Sequence, residues 1–223
     1  VETIAIFINN LAAPANTKVF SLTHRLHLTQ PQAYIFDPEL PYWIIYRNQL
    51  FDSVCRKLDF DVFEVFRDRQ LTNKLLSSSG ELRVLKSRNL SDDGKEILDI
   101  PGYDSYISYA AAKPLSVFQY LDAPNVYLTP NMTYKPRMMK KPPHCVVNGS
   151  LAILIPKGGI VPTEKQLAYF SSEEYRAFYQ IARNFQTRSL NVDACSVFFY
   201  GLLRDEAKPA PEKFDTSVQL SFL

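Results

Sequence analysis

The spacing of apolar and polar residues changes repeatedly along the chain, and each change predicts a new short element. Alternating or uninterrupted apolar positions predict strands at 4–8, 18–22, 33–36, 81–85, 150–155 and 196–203. Apolar residues spaced three and four apart predict two helices, at 47–56 and 171–184. Because strands and helices are mixed irregularly, the sequence favours an α+β fold over a regular βαβ winding. We expect a mixed sheet, irregular Pro-rich loops and a few packed helices.

The helix predicted at 171–184 carries the strongest local signals. Ser171 or Ser172 can cap its first turn, where Glu173 and Glu174 favour the positive end of the helix dipole. Its apolar face consists of Tyr175, Phe178, Tyr179, Ile181 and Ala182. We therefore expect this helix to pack an aromatic face against the core.

Charge is distributed unevenly along the chain, although the net charge is only +2. From Ala123 to Thr163 there is no Asp or Glu, yet the stretch carries five positive side chains: Lys135, Arg137, Lys140, Lys141 and Lys157. Its first half, 123–145, contains five prolines and is predicted as loop. Such a local positive field suits a phosphate backbone, and a basic surface loop without a partner is an equal alternative.

Composition limits the class of protein. A chain of 223 residues can form one large domain or two small ones. No apolar run approaches the roughly 18–20 residues of a membrane span, so we expect no membrane partner. The three cysteines are too few and too scattered for a disulfide framework, which favours a reducing cytoplasm. The chain opens in a predicted strand without a starting Met, which we interpret as a cut from a longer protein.

Four segments, taken in chain order, resemble one known family. They are Glu-Leu-Arg-Val-Leu-Lys-Ser-Arg-Asn-Leu at 81–90, Asn-Gly-Ser-Leu-Ala-Ile-Leu-Ile-Pro-Lys at 148–157, Ala-Tyr-Phe-Ser-Ser-Glu-Glu-Tyr at 168–175 and Thr-Arg-Ser-Leu-Asn-Val-Asp at 187–193. In this order they resemble the target-recognition (specificity) domain of N6-adenine DNA methyltransferases from type II restriction–modification systems. In that family a short strand leads into the third segment, a helix follows, and a Thr/Ser/Arg turn and a strand close the domain.

The resemblance covers roughly residues 60–203 and implies a module that reads double-stranded DNA. Residues 1–40 would be a remnant of the catalytic domain or lead-in strands, 41–204 the recognition domain and 205–223 a tail. The partners implied are double-stranded DNA and a methyltransferase catalytic domain, expected in the same polypeptide. The parent protein would then be a site-specific, adenine-specific DNA methyltransferase.

The catalytic motifs of that family are missing from the chain. No Phe-x-Gly-x-Gly signature for the methyl donor is present, and no Asn/Asp-Pro-Pro-Tyr/Phe motif for the flipped adenine. The only Pro-Pro pair, Pro142–Pro143, is flanked by Lys141 and His144. Because a donor and an extruded base each need a dedicated site, we expect no catalytic residue here. S-adenosylmethionine is accordingly expected in the parent enzyme and not in this fragment.

Four polar segments carry the side chains that we predict to contact DNA. The first (67–74) contributes Arg67, Arg69, Gln70, Thr72 and Lys74; the second (86–89) Lys86, Ser87, Arg88 and Asn89; the third (131–141) Asn131, Thr133, Tyr134, Lys135, Arg137, Lys140 and Lys141; and the fourth (187–189) Arg188 and Ser189. Arg reads guanine and Gln or Asn reads adenine, whereas Lys, Ser and Thr suit phosphates. The alternatives are a solvated loop with Asp68 paired to an arginine, tyrosines that cover the core, and Arg188 placed to complement a helix dipole.

Other chemistry is weakly supported. His24 and His27 lie three apart without neighbouring ligands, so we expect no metal site. Glu206-Ala207-Lys208 matches the Glu-x-Lys of nucleases without a preceding strand acid, which leaves a restriction nuclease or nuclease–methylase fragment as an alternative. Loops rich in Tyr and Arg leave a protein-interaction domain as a further alternative.

Overall fold

The computed structural model describes residues 15–22, 25–133, 135–186 and 191–205. Its strands are β1 (Asn16–Ser21), β2 (Leu26–Pro31), β3 (Leu58–Asp59), β4 (Phe63–Phe66), β5 (Leu82–Leu85), β6 (Ser105–Ile107), β7 (Tyr127–Pro130), β8 (Met139–Lys140), β9 (Cys145–Val147), β10 (Leu151–Pro156) and β11 (Leu202–Leu203). Its α-helices are α1 (Gln32–Ile35), α2 (Gln49–Lys57), α3 (Tyr109–Ala112), α4 (Glu164–Tyr169) and α5 (Glu173–Ala182). The mixture of short strands and helices confirms the α+β class.

The central sheet has the strand order β4-β10-β7-β8, and all its neighbours are antiparallel. Strand β10 lies in its middle, with Ile153 opposite Phe66 of β4 and Leu128 of β7. Alternate side chains of β10 point to opposite faces of the sheet. Ala152 and Leu154 enter one hydrophobic core, and Leu151 and Ile153 enter another. The uninterrupted apolar run of β10 is therefore explained by burial on both faces.

The first core is built from helices α2 and α5 and is rich in aromatic rings. Phe51 of α2 stacks on Phe178 of α5, with ring centroids 5.1 Å apart. Ser172 caps α5 by accepting a hydrogen bond from the Tyr175 N–H at 3.1 Å. The fully buried Tyr175 donates its hydroxyl to the Phe199 carbonyl, also at 3.1 Å. Strands β3 and β11 pair at the edge of this core.

The second core lies beneath a three-stranded sheet of order β6-β5-β9. Strands β5 and β9 are parallel, with Arg83 opposite Cys145 and Leu85 opposite Val147. Because β9 leads through a short turn into β10, the two sheets are joined at residues 148–150. That turn places the carboxyl end of β5 beside the start of the central strand.

The N-terminal hairpin β1–β2 packs on α1 through a small cluster of Val19, Leu28 and Ile35. Arg47 connects this part to α2, because its guanidinium binds Asp37 at 2.7 Å and Asp52 at 2.8 Å. Among the described residues, no helix has both the length and the apolar character needed to cross a membrane.

Most of the regular elements predicted from the sequence are confirmed. The predicted strands at 18–22, 81–85 and 150–155 correspond to β1, β5 and β10, and the predicted helices at 47–56 and 171–184 correspond to α2 and α5. The strand predicted at 4–8 lies outside the described residues.

Two segments predicted as strands are instead helical. Residues 33–36 belong largely to α1, which buries Tyr34 and Ile35. The prediction for 196–203 was correct only at β11, because Ser196–Phe199 form a 3-10 turn. The Asp193 carboxylate accepts a hydrogen bond from the Ser196 N–H at 2.8 Å, which favours the turn over an extended chain.

The prediction of a loop for the whole of 123–145 was wrong. This stretch contains β7, β8 and the start of β9. The four residues of β7 are all buried, and Pro130 stands at its end. A proline at the end of a strand is compatible with the sheet, whereas the local composition suggested only loop.

The strand that the family resemblance implies before the helix at 171–184 is also absent. Residues 164–169 form α4, whose first turn has a capping box. The Thr163 hydroxyl accepts from the Gln166 N–H, while the Gln166 side chain accepts from the Thr163 N–H. These reciprocal bonds satisfy the free N–H groups of a helix start and so stabilise a helix at this position.

Burial of β10 on both faces generates the first prediction. The Leu154→Ala variant should lower the free energy of unfolding by about 2–5 kcal/mol, because it leaves a cavity in the first core. Urea denaturation followed by circular dichroism measures the change. The matched control is Val161→Ala, whose side chain is 67% exposed and whose effect should stay within about 0.5 kcal/mol. Equal effects of the two variants would contradict the two-faced burial.

Candidate nucleic-acid interface

The first and third polar segments leave the central sheet at the same end. Strand β4 ends at Phe66 and β7 ends at Pro130. Phe66 pairs with Ile153 and Pro130 pairs with Leu151, so both strands end beside the start of β10. Segments that begin about sixty residues apart in the chain therefore emerge next to each other.

The second segment reaches the same place through the 148–150 turn. The Asn148 N–H donates to the Leu85 carbonyl at 3.1 Å, and the Ser150 hydroxyl accepts from the Ser87 N–H at 2.9 Å. Gly149 lies so close to the first segment that a Cβ there would approach the Asp68 carbonyl oxygen to 2.7 Å. Since the Asn131 side-chain amide also donates to the Gly149 carbonyl at 2.9 Å, the 148–150 turn contacts three of the four segments.

The fourth segment, 187–189, lies outside the described residues, as does Tyr134 of the third. The residue that resumes the described chain, Asn191, is in contact with the third segment. The Asn131 side-chain amide donates to the Asn191 side-chain oxygen at 2.9 Å. The buried Arg183, at the end of α5, donates to the Asn191 carbonyl at 3.2 Å.

The first segment is held by a buried acid and presents its cations outward. The Asp68 carboxylate accepts from the N–H groups of Gln70 and Leu71, at 3.3 and 2.9 Å, and so closes a turn. The side-chain oxygen of Gln70 accepts from the Ser116 N–H at 2.6 Å. The other predicted residues are exposed or, for Arg67, half-buried: Arg67, Arg69, Thr72 and Lys74.

The second segment arranges two cations around one aromatic ring. Lys86 Nζ lies 3.9 Å and Arg88 Cζ 4.7 Å from the centroid of the Tyr103 ring. Lys86 donates to the Tyr103 carbonyl and to the Ser105 hydroxyl, and partial burial lowers its pKa. Arg88 remains exposed. Its guanidinium lies over the ring, an arrangement in which an arginine can still donate hydrogen bonds to other groups.

Asn89 serves the fold of the second segment. It is fully buried, and its side-chain oxygen accepts from the Lys86 N–H at 2.9 Å. Its amide donates to the Leu98 carbonyl and to the Asp104 carboxylate, at 3.0 and 2.7 Å. With these partners the side chain of Asn89 faces the protein interior in this structure.

Three residues of the third segment are likewise buried. The Arg137 guanidinium donates to the carbonyls of Ser87 and Leu90, at 3.1 and 3.2 Å, which ties the third segment to the second. Lys141 Nζ donates to the Leu121 carbonyl at 2.7 Å. Burial lowers the pKa of both groups. Asn131, Arg137 and Lys141 thus direct their polar groups into the protein in this structure.

The remaining residues of the third segment divide between the two ends of the sheet. Lys135 is exposed and forms an ion pair with Asp92 at 3.0 Å, and the half-buried Thr133 accepts from the Lys135 N–H. The Lys140 side chain is exposed, and the residue lies opposite Tyr127, the first residue of β7, in the strand pairing of β8 with β7. The structure therefore places Lys140 and Lys141 away from the 148–150 turn.

Four cations of the converging segments define the candidate interface, which we call the cationic rim: the exposed Arg69, Arg88 and Lys135 and the half-buried Arg67. The residues that hold these segments in place were not identified as site residues from the sequence. The 148–150 turn, Asn191 and the Tyr103 ring hold the segments in place. The Asn-Gly dipeptide at 148–149 is a turn signal, and it is the feature by which the sequence indicates the 148–150 turn.

Comparison with known proteins gives no assignment: no protein-family model matches the chain, and no curated protein matches it significantly. Over the described ranges, no three His, Cys, Asp or Glu side chains are grouped in a way that could hold a metal ion. Function is therefore argued from the residues of the chain itself.

The contrast between Arg137 and Lys135 generates the second prediction. Arg137→Ala should lower the free energy of unfolding by about 1–3 kcal/mol, because it removes the donor to two buried carbonyls. Lys135→Ala should change it by no more than about 0.5 kcal/mol, because its ion pair is exposed. Urea denaturation distinguishes the two. Equal stability of both variants would show that Arg137 does not hold the loops together.

Proposed function

We propose that this chain is a sequence-specific recognition module for double-stranded DNA that does not catalyse a reaction by itself. In this proposal it presents a target adenine to the catalytic domain of an N6-adenine DNA methyltransferase of a type II restriction–modification system. One observation carries the DNA-binding part: segments remote in sequence, each with exposed cations, meet at one end of a sheet that is buried on both faces.

The charges of the cationic rim suit the surface of DNA. Arg69 is exposed on a turn closed by Asp68, and an arginine so placed can donate two hydrogen bonds to guanine. Lys135 and Arg88 are also exposed and would neutralise phosphates. Asp92, whose pKa is lowered by its hydrogen bond to Lys135, partly offsets this positive field until a phosphate replaces it.

Preorganisation supports the same proposal. Arg88 rests on the Tyr103 ring, so less side-chain entropy is lost when it meets a phosphate. Asn131 and Arg137 fix the backbone of the third segment by bonds to buried groups. Binding groups on loops held by a rigid scaffold are placed more accurately than groups on free loops.

The residues present do not fit a site for S-adenosylmethionine. None of the seven glycines forms the donor-binding signature. Gly149 is packed against the Asp68 carbonyl and Gly201 against the Asp59 carbonyl, so neither cradles a ligand. We therefore derive no methyl-transfer step for this chain and propose that the donor binds to the catalytic domain of the parent enzyme.

Exposed apolar residues near the start of the chain favour a protein partner as well. Phe20, Leu22 and Trp43 are at least half exposed, and Phe20 and Leu22 belong to the N-terminal hairpin region. Apolar side chains of this size are commonly covered by a partner. We propose that this surface contacts the catalytic domain.

Salt dependence of binding generates the third prediction. Fluorescence anisotropy with a pool of labelled duplexes should show an association constant that falls steeply as a power of salt concentration. Arg88→Ala and Lys135→Ala should each weaken binding by roughly tenfold at low salt and reduce the slope by about one. Removing Lys135 also releases the Asp92 carboxylate, which adds repulsion.

The matched control for these variants is Lys157→Ala. Lys157 follows the opposite end of β10 and pairs with Asp61 at 2.6 Å, so its loss should leave binding unchanged. Absence of duplex binding at low salt would overturn the proposal. Equal loss of affinity in the Lys157 variant would show a diffuse charge effect in place of an interface.

Base reading by the first segment generates the fourth prediction. Arg69→Ala should relax the preference for one base pair, worth about 1–3 kcal/mol of discrimination. Selection from a pool with a randomised centre, followed by sequencing, measures this preference for the wild type and the variant. Lys135→Ala serves as the comparison, because loss of a phosphate contact should weaken all sequences equally. An unchanged preference in the Arg69 variant would exclude Arg69 as a base reader.

A further inference from the structure

Met132 is an apolar side chain exposed within the candidate interface. It follows Asn131 directly, at the point where the third segment leaves β7. Its side chain is 52% exposed, whereas Asn131 is buried. Single exposed apolar side chains are common on protein surfaces, so Met132 is distinguished by its place on the loop that carries Lys135 of the cationic rim.

Hydrogen bonds hold the residue before Met132 and the carbonyl of Lys135, three residues after it. Asn131 donates from its N–H to the Ser150 carbonyl and from its side-chain amide to the Gly149 carbonyl, each at 2.9 Å. Its side-chain oxygen accepts from the buried Val192 N–H at 3.0 Å. On the other side Arg137 donates to the Lys135 carbonyl at 3.1 Å. Met132 therefore directly follows a residue whose backbone and side chain are both hydrogen-bonded to the interior of the protein.

The charges around Met132 indicate the nature of the surface it meets. Lys135 lies three residues further along the same loop, and Arg137 ties this loop to the segment that carries Arg88. Cations on these segments attract phosphates, so the loop would approach the nucleic acid. On double-stranded DNA the large apolar surfaces are the faces of the bases, which become accessible only when two base pairs are unstacked.

We propose that Met132 is a wedge that inserts between adjacent base pairs of the recognised duplex. This inference rests on the proposed DNA-binding function and adds a deformation of the DNA to it. An unbranched thioether side chain is narrow enough to enter an opened step and polarisable enough to pack on bases. Unstacking costs free energy, and burial of Met132 offsets part of that cost. The cost depends on the step, so the wedge contributes to sequence preference without a hydrogen bond.

The test uses the whole chain and the duplex selected from the randomised pool, with 2-aminopurine placed in turn at each adenine position. The wild type should raise 2-aminopurine fluorescence at one step, because stacking is lost there. Met132→Ala should abolish the rise and weaken binding by about tenfold. Met132→Leu should keep most of both. Because Met132 is exposed, none of these variants should change the unfolding midpoint.

Val161→Ala is the matched control, since Val161 is also exposed but lies beyond the opposite end of β10. It should leave fluorescence and affinity unchanged.

If the wild type binds the duplex and the Met132→Ala variant gives the same fluorescence, the wedge is overturned while the DNA-binding function stands. If replacing thymine by deoxyuracil removes the effect of the variant, Met132 contacts a thymine methyl group and the wedge is again overturned. If the wild type binds no duplex, both proposals fail.

Discussion

Burial of β10 on both faces is the constraint on which the rest of the structure depends. Ala152 and Leu154 belong to one core and Leu151 and Ile153 to the other, so a shift of one residue would exchange the two sets. This fixes the register of β4 and β7 against β10. With the register fixed, the positions at which these strands end are fixed as well. The convergence of the polar segments on the 148–150 turn is therefore a consequence of core packing.

Each converging segment combines a buried polar residue with an exposed neighbour. Asp68 is buried beside the exposed Arg69, Asn89 beside Arg88, and Asn131 beside Met132. A buried polar group is tolerated only when its hydrogen bonds are satisfied, which restricts the backbone to one conformation. The buried residue thereby sets the position of its exposed neighbour, and the polar atoms of the neighbour's own side chain are not needed for this. This arrangement lets the surface residues change with little effect on stability, because the conformation of the loops depends on the buried ones.

The sequence predicted the elements with strong local signals and missed those determined by distant contacts. Helix α5 has a cap, acidic residues in its first turn and an aromatic face, and β10 has an uninterrupted apolar run; both were evident. Strand β7 was not, because its Tyr-Leu-Thr-Pro segment forms a strand through pairing with β10 and β8, which local sequence does not encode. The 3-10 turn at Ser196–Phe199 was missed because alternation of apolar residues suggested a strand, whereas the hydrogen bond from the Ser196 N–H to the Asp193 carboxylate favours a turn.

The same limit applies to the candidate site, where charge alone could not separate binding residues from structural ones. Arg137 and Lys135 are two residues apart in an acid-free basic stretch, yet one is buried against carbonyl groups and the other is exposed. Desolvation of a cation is costly, and the backbone carbonyls of Ser87 and Leu90 offset this cost for Arg137 by accepting its hydrogen bonds. Those carbonyls lie some fifty residues away in the chain, and no local pattern encodes the contact. A basic stretch therefore indicates where a nucleic acid could bind, and the long-range pairing of strands decides which of its cations are available to do so.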